Sequence, residues 1–391
     1  VIRSFSAFTE EIDDAELAVQ EILDQLELEG KLLDSTVGIL TCYSEFIDTG
    51  VTAVLRERLP FEIVGVTTNA NGANGQIGES ALTLLVLTSD TVTFTPVLTD
   101  EIAGREEAPL RAAYGRAMGA RTDKPALILS FAPMVVSVAV DFYADAMDDI
   151  SGGVPNYGMI ATDHTAGFQS VQVIAGGKAY KNRCAFILIH GDIKPTFYLS
   201  HIKDEKIFPE KGVVTASQGS LLETVNDKPV ADWLASLGLT QNEEGAIIGL
   251  NNFCFLMDYN DGTAPIVRVM LTFTVTTDKT YAVCAGDVPV GTTLSLVTLN
   301  ADEVVASTKG TLDRILAGPK PSVVLTVSCL GRYFVQNFDA TVEMEAITEK
   351  MNECGVPYFL AYSGGEICPV SGQDGALANR GHNQTFTACA F

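Results

Sequence analysis

Three stretches of this chain pass through the same succession of patterns, and that repetition limits the fold more than any other feature. The first runs from "TVGILTCYS" (36–44) through a helical pattern to "FEIVGVTTNANG" (61–72) and "ESALTLLVLT" (79–88). The second runs from "PALILSFAP" (125–133) to "NYGMIATDHTAG" (156–167) and "CAFILIHG" (184–191), the third from "SVVLTVSCLGR" (322–332) to "YFLAYSGGEI" (358–367) and "NQTFTACAF" (383–391). The intervening helices have the right period: Val51, Val54, Leu55 and Leu59 in the first, then Val138, Phe142, Ala146 and Ile150. In the third, Val342 and Ala346 oppose Thr341, Glu345 and Glu349. Each unit therefore reads strand–helix–strand–strand. A helical crossover makes its first two strands parallel.

A divergent block separates the second and third units. It reads as a strand "GSLLETV" (219–225), a short helix opened by Pro229 and stopped by Gly238, and a hairpin of "IVRVMLTFTV" (266–275) with "YAVCAG" (281–286). A helix over 302–316 follows, capped by Asn300. Ahead of everything, Ala15, Val19, Ile22, Leu23 and Leu26 form an amphipathic helix ended by Gly30. The fold class is α/β with mixed sheets. Helices on one face of a sheet leave the other face to be buried, and two sheets packed face to face give layers α/β/β/α. Apolar density falls in "HIKDEKIFPEKG" (201–212), which divides the chain into domains 1–205 and 206–391.

Composition narrows the function classes. Asp and Glu number 49 against 25 Lys and Arg, a net charge of -24, so nucleic acid and anionic membrane surfaces are poor partners. No apolar run approaches membrane-helix length. The 8 cysteines form no C-x-x-C pair and His numbers only 4, so neither metal nor cofactor is expected. Buried thiols of this kind fit a reducing cytoplasm. The glycines of "NANGANGQIG" lack a following Lys and helix, which argues against a phosphate loop.

Ligands of parallel units bind beyond the carboxyl ends of strands, and this chain turns polar there. The first unit offers Thr68 and Asn69, the second Asp163 and His164, the third Cys329, Gly331, Arg332, Gly364, Gly365 and Glu366. Arg332 suits a two-pronged hold on a carboxylate. Glu366 suits an amine, or pairs with Arg332 as a structural tie. Cys329 beside a cation, with His382 ahead of the last strand, also admits a cysteine-dependent hydrolase or transferase. A third alternative is a protein-interaction scaffold without a ligand.

The segments "SCLGR" (328–332), "YSGGEICPV" (362–370) and "HNQTFTACAF" (382–391) resemble the C-terminal FIST domain, as do "VNDKPVADWL" (225–234), "VRVML" (267–271) and "GDVPVGTTLSLV" (286–297). The first half resembles the N-terminal FIST domain through its early helix, "VGILTCYS" (37–44) and "FEIVGVTTNANG" (61–72). There the family's Gly-Glu after the return strand is replaced by Asn69-Ala70-Asn71-Gly72. The resemblance implies a bacterial, cytoplasmic sensory module of signal transduction without catalysis, binding amino acids or related small metabolites. Its expected partner is a histidine kinase or another signalling protein, and with no output segment legible it would be a stand-alone sensor. Carried over residue by residue, Arg268, Cys329, Gly331, Arg332, Gly365, Glu366 and Asn383 fall on the family's recurring polar and glycine positions.

Overall fold

The computed structural model describes residues 2–135, 138–165, 167–239, 253–275 and 279–391. In the first unit Ser35–Cys42 and Glu62–Thr67 run parallel across the helix Val51–Arg58, and Leu82–Ser89 returns antiparallel. The second unit repeats this with Leu127–Ala132, the helix Val140–Ser151, Asn156–Ile160 and the return strand Ala185–His190. The third does so with Val324–Cys329, the helix Thr341–Cys354, Tyr358–Ser363 and Phe386–Ala390. An outer strand flanks each return strand: Arg3–Thr9, Thr93–Leu98 and Thr196–Leu199.

Each unit also holds a hairpin between its second and return strands, and lends it to another unit. Asn71–Ala73 with Gln76–Gly78 extends the third sheet beside Tyr358–Ser363. Val173–Ala175 with Lys178–Tyr180 extends the first beside Glu62–Thr67. Glu366–Ser371 with Leu377–His382 extends the second beside Asn156–Ile160. The exchange closes a ring, and each of the three sheets has six strands. The stretch after Glu366, which reads as a loop in the sequence, is one of these hairpins.

Strand alternation decides the packing. Val37, Ile39, Val64 and Val66 face inward from the first sheet, Leu127, Leu129 and Phe131 from the second, Leu325, Val327 and Phe359 from the third, and all share one core. Each fully buried side chain contributes roughly 1.5–3 kcal/mol. The outward faces lie under helices: Leu40 and Leu84 under Val19 and Ile22, Ile128 and Leu188 under Phe142 and Met147, Leu360 and Ala388 under Ile347 and Met351. Sheets thus pack face to face with helices outside. There are three around the core rather than two, because the borrowed hairpins widen each sheet until the inner faces meet.

The divergent block forms a closed barrel. Ile207–Gln218, Thr293–Thr298, Phe253–Asp258, Ile266–Val275, Thr280–Cys284 and Leu221–Val225 pair in that order, and the last returns to the first. Register irregularities in Ile207–Gln218 bend it enough to serve both neighbours. Val214, Phe255, Met257, Met270 and Leu296 fill the interior, with Trp233 of the helix Val230–Ser236 packed against them. The charged stretch 201–212 runs directly into this barrel strand. Asn300 caps Ala301–Leu316 through a reciprocal bond with Glu303, and the first helix, Ala15–Leu26, ends at Glu27 in the left-handed region rather than at Gly30. Among the described residues no helix is long and apolar enough to cross a membrane.

Candidate functional site

The ring allows strand ends to be compared position by position. Cys42 lies opposite Thr67, Ala132 opposite Ile160 and Ser328 opposite Tyr362. The Thr67 amide donates to the Gln172 carbonyl, that of Ile160 to Gly365 and that of Tyr362 to Ala70, each across to a lent hairpin. One residue further along, Tyr43, Pro133 and Cys329 occupy equivalent places, and so do Val173, Glu366 and Asn71. Only the third unit supplies both a thiol and a carboxyl.

That end of the molecule opens into a cavity of ≈ 1240 Å³ between the second unit, the third unit and the barrel. Its walls are largely apolar, from Met134, Val140 and Ile160, from Leu221, Val269, Leu271 and Val283 of the barrel, and from Phe334. Polar side chains line it at the third unit's strand ends, Cys329, Asn383 and Gln384 with Gly331 and Gly364, and on the opposite side, Arg105, Gln218, Ser220 and Asp287. Gln384 is left-handed (φ 55), a strained state for a glutamine. Its amide donates to the Gly331 carbonyl at 3.1 Å, and a Cβ on residue 331 would stand 2.1 Å from its Oε1 and displace the side chain from this position.

Glu366 lies behind this floor, beside Cys329, with no exposed surface. Neither of its carboxyl oxygens has a hydrogen-bond partner, a condition no other buried acid among the described residues shares. Burial pushes its proton affinity well up; the Cys329 thiol, Arg332 and the Thr385 backbone pull back without closing to full hydrogen bonds on it. Burial likewise pushes the Cys329 thiol well up, and Glu366 adds to the shift. A thiol held protonated is a poor nucleophile. His382 does not assist it: the ring Nε2 bonds the Cys368 carbonyl at 2.9 Å, and burial lowers the imidazole to about 4.

The arginines are already engaged. Arg332 is buried outside the cavity lining and pairs with Glu343 of the helix Thr341–Cys354, not with Glu366. Its Nη2 and Nε donate to Glu343 Oε1 at 2.8 and 3.0 Å, and Nη2 also reaches Thr308 and the Val304 carbonyl. The two-pronged hold expected on a ligand carboxylate is thus spent inside the protein. Burial alone would raise the Glu343 carboxyl, but Arg332 with hydrogen bonds from Thr308 and Tyr362 outweighs it and holds the group below its usual range. Arg268, on the barrel strand Ile266–Val275, pairs with Asp141 at 2.5 Å and donates to Asn383 Oδ1 at 2.9 Å. It orients a lining residue without reaching the cavity itself. Arg105 lines the rim and grips Asp287 at 2.6 and 3.0 Å.

Of the remaining candidates, Gly365 lies behind Gly364, where a Cβ would stand 3.3 Å from Val140 Cβ. Thr68, Asn69, Asp163 and His164 gather elsewhere. Thr68 donates to Asn71, Asn69 to the Asp163 carbonyl, and Asp163 collects the Thr165 and Ser170 amides in a loop tie. His164 stacks edge-on against Tyr43. The sequence reading overlooked Glu343 and Asp141. Each is a charge interrupting the apolar stripe of its helix, which was the signal available. No cluster of three or more metal-ligating side chains occurs among the described residues.

The FIST N domain matches residues 36–228 and the FIST C domain residues 229–369. No curated protein matches. Among solved structures, a cyanuric acid hydrolase from A. caulinodans is similar at 10% identity and TM-score 0.26, over 49% of this chain and 72% of that one. T. maritima PurL complexed with AMPPCP is similar at 10% identity and TM-score 0.21, over 100% of this chain and 72% of that one. Likeness at those scores carries no argument about fold or chemistry.

Proposed function

Because the chain belongs to the FIST family, whose domains are associated with sensory signal transduction, we propose that it senses a small amino-acid-related metabolite held in the cavity. The observation that carries this reading is the cavity itself, with apolar walls and a polar floor of Cys329, Asn383 and Gln384. The floor is well placed to report occupancy. Asn383 is bonded to Arg268 of the barrel, which is bonded to Asp141 of the second unit. A ligand that shifts Asn383 therefore acts on all three bodies, and a signalling protein such as a histidine kinase would read the change.

A thermal-shift screen against amino acids and their derivatives tests this. A ligand at a hundred times its Kd stabilises the fold by about 2.7 kcal/mol. Leu271→Trp, at an exposed wall position, should block entry and abolish the shift while leaving the unliganded Tm unchanged. A shift that survives Leu271→Trp would place the ligand elsewhere, and no shift across the panel would count against the reading.

A further inference from the structure

The charges around the cavity do not balance the way an amino acid requires. A zwitterion needs an acid for its ammonium and a base for its carboxylate. Among the described residues, each arginine lining or backing the cavity already has its own acid: Arg105 has Asp287, Arg268 has Asp141 and Arg332 has Glu343. Glu366 is in the opposite position, an acid with no base and no hydrogen bond. The fold does not demand it. At the equivalent places Asn71 is satisfied by Thr68 and the Ala81 carbonyl, and Val173 packs in the central core. A fully buried carboxyl that the framework neither needs nor satisfies points to a partner from outside.

We infer that the cavity selects apolar primary amines lacking a carboxylate, with Glu366 receiving the ammonium; this rests on the cavity being the ligand site proposed above. The aliphatic or aromatic body of the amine lies against Val140, Ile160, Leu221 and Val283. The head passes Cys329 and Gly364, where the side chain that must move aside is Met134, its Cε 2.3 Å from where a Cβ of residue 364 would stand. Without ligand, burial keeps the Glu366 proton in place. The arriving ammonium keeps its own protons, and the Glu366 proton leaves to solvent. Around Glu366, burial pushes Cys329, Tyr157 and Cys368 upward and holds His382 neutral, while Arg332 keeps Glu343 ionised against its burial. Glu366 is the group left to give up a proton to an arriving ammonium.

Calorimetric titration of the full chain with 2-phenylethylamine, 3-methylbutylamine, phenylalanine, leucine and 2-phenylethanol tests the inference. The amines should bind about 10- to 100-fold more tightly than the amino acids or the alcohol, the range of a charge-assisted hydrogen bond. Titrations in two buffers of different ionisation enthalpy should reveal a proton released with each amine. Glu366→Gln should lose the preference for amines and still take up the alcohol. Amino acids or alcohol binding as tightly as the amines would overturn the inference and leave the cavity a ligand site. Undiminished amine binding by Glu366→Gln would overturn it too. Should that variant fail to fold, absence of proton release in the native protein decides against it. If no probe binds, both the inference and the reading beneath it fall.

Discussion

Glu366, Glu343 and Asp141 are buried acids with different fates, and their variants should behave differently. Burial raises the Glu366 carboxyl above its ordinary 4.5, so as pH rises the unfolded chain loses that proton first. Native protein should lose stability relative to Glu366→Gln from about pH 4.5 upward, by as much as about 1.4 kcal/mol per pH unit, until the folded carboxyl ionises. Below that pH this contribution vanishes. Urea unfolding across a pH series measures it, and a gap that does not vary with pH would mean the carboxyl is ionised in the native state. Arg332→Ala should cost about 3–5 kcal/mol, because it strands Glu343 without a counter-charge. Equilibrium denaturation reads that directly, and a loss below about 1 kcal/mol would show the pair to be dispensable. At this scale the sequence was partly legible. Strand ends could be located from apolar runs turning polar, which found Cys329, Glu366 and Asn383. Partners could not: Glu343 meets Arg332 only because a helix folds back over the sheet, and nothing local distinguishes that pairing from one with Glu366.

Helix and strand periods were legible wherever one face is buried, as in Val51–Arg58 and Val140–Ser151. The helix Thr341–Cys354 was found with its faces nearly right: Ala346 is buried and Thr341, Glu345 and Glu349 are exposed as read, and only Val342 was misplaced. Its buried face carries Glu343, Met344, Ile347 and Met351, while Val342 is 57% exposed. The lent hairpin after Glu366 was missed because its strands, EICPVS and LANRGH, show no clean alternation. Two glycines test how tightly elements meet. A Cβ at residue 286 would lie 1.7 Å from Arg268 Nη1 and 2.4 Å from Asp141 Oδ2, where neither group can retreat. Gly286→Ala should destabilise by about 1–3 kcal/mol and loosen the joint between barrel and second unit. Gly310, in the middle of Ala301–Leu316, has open space where its Cβ would be. Gly310→Ala should add about 0.4–1 kcal/mol, and thermal melts of the two variants should move in opposite directions.

Three sheets about one core could not be counted from the chain, because each sheet is finished by residues remote in sequence. Residues 71–78 complete the third sheet and residues 366–382 complete the second. Fragments 1–205 and 206–391, expressed separately, should therefore fail to fold, and expressed together should elute as one species. A fragment 1–205 that is soluble and unfolds cooperatively alone would show the exchange to be unnecessary. The same closure orders events during synthesis. The strand Asn156–Ile160 leaves the ribosome with one neighbour missing, and that neighbour, Glu366–Ser371, is translated about two hundred residues later. The second unit must wait with its sheet edge open, exposed to other chains, until residues 366–382 have emerged. Completion of the second sheet is thus a late event, and a truncation before residue 366 would leave unfinished a part of the molecule built long before.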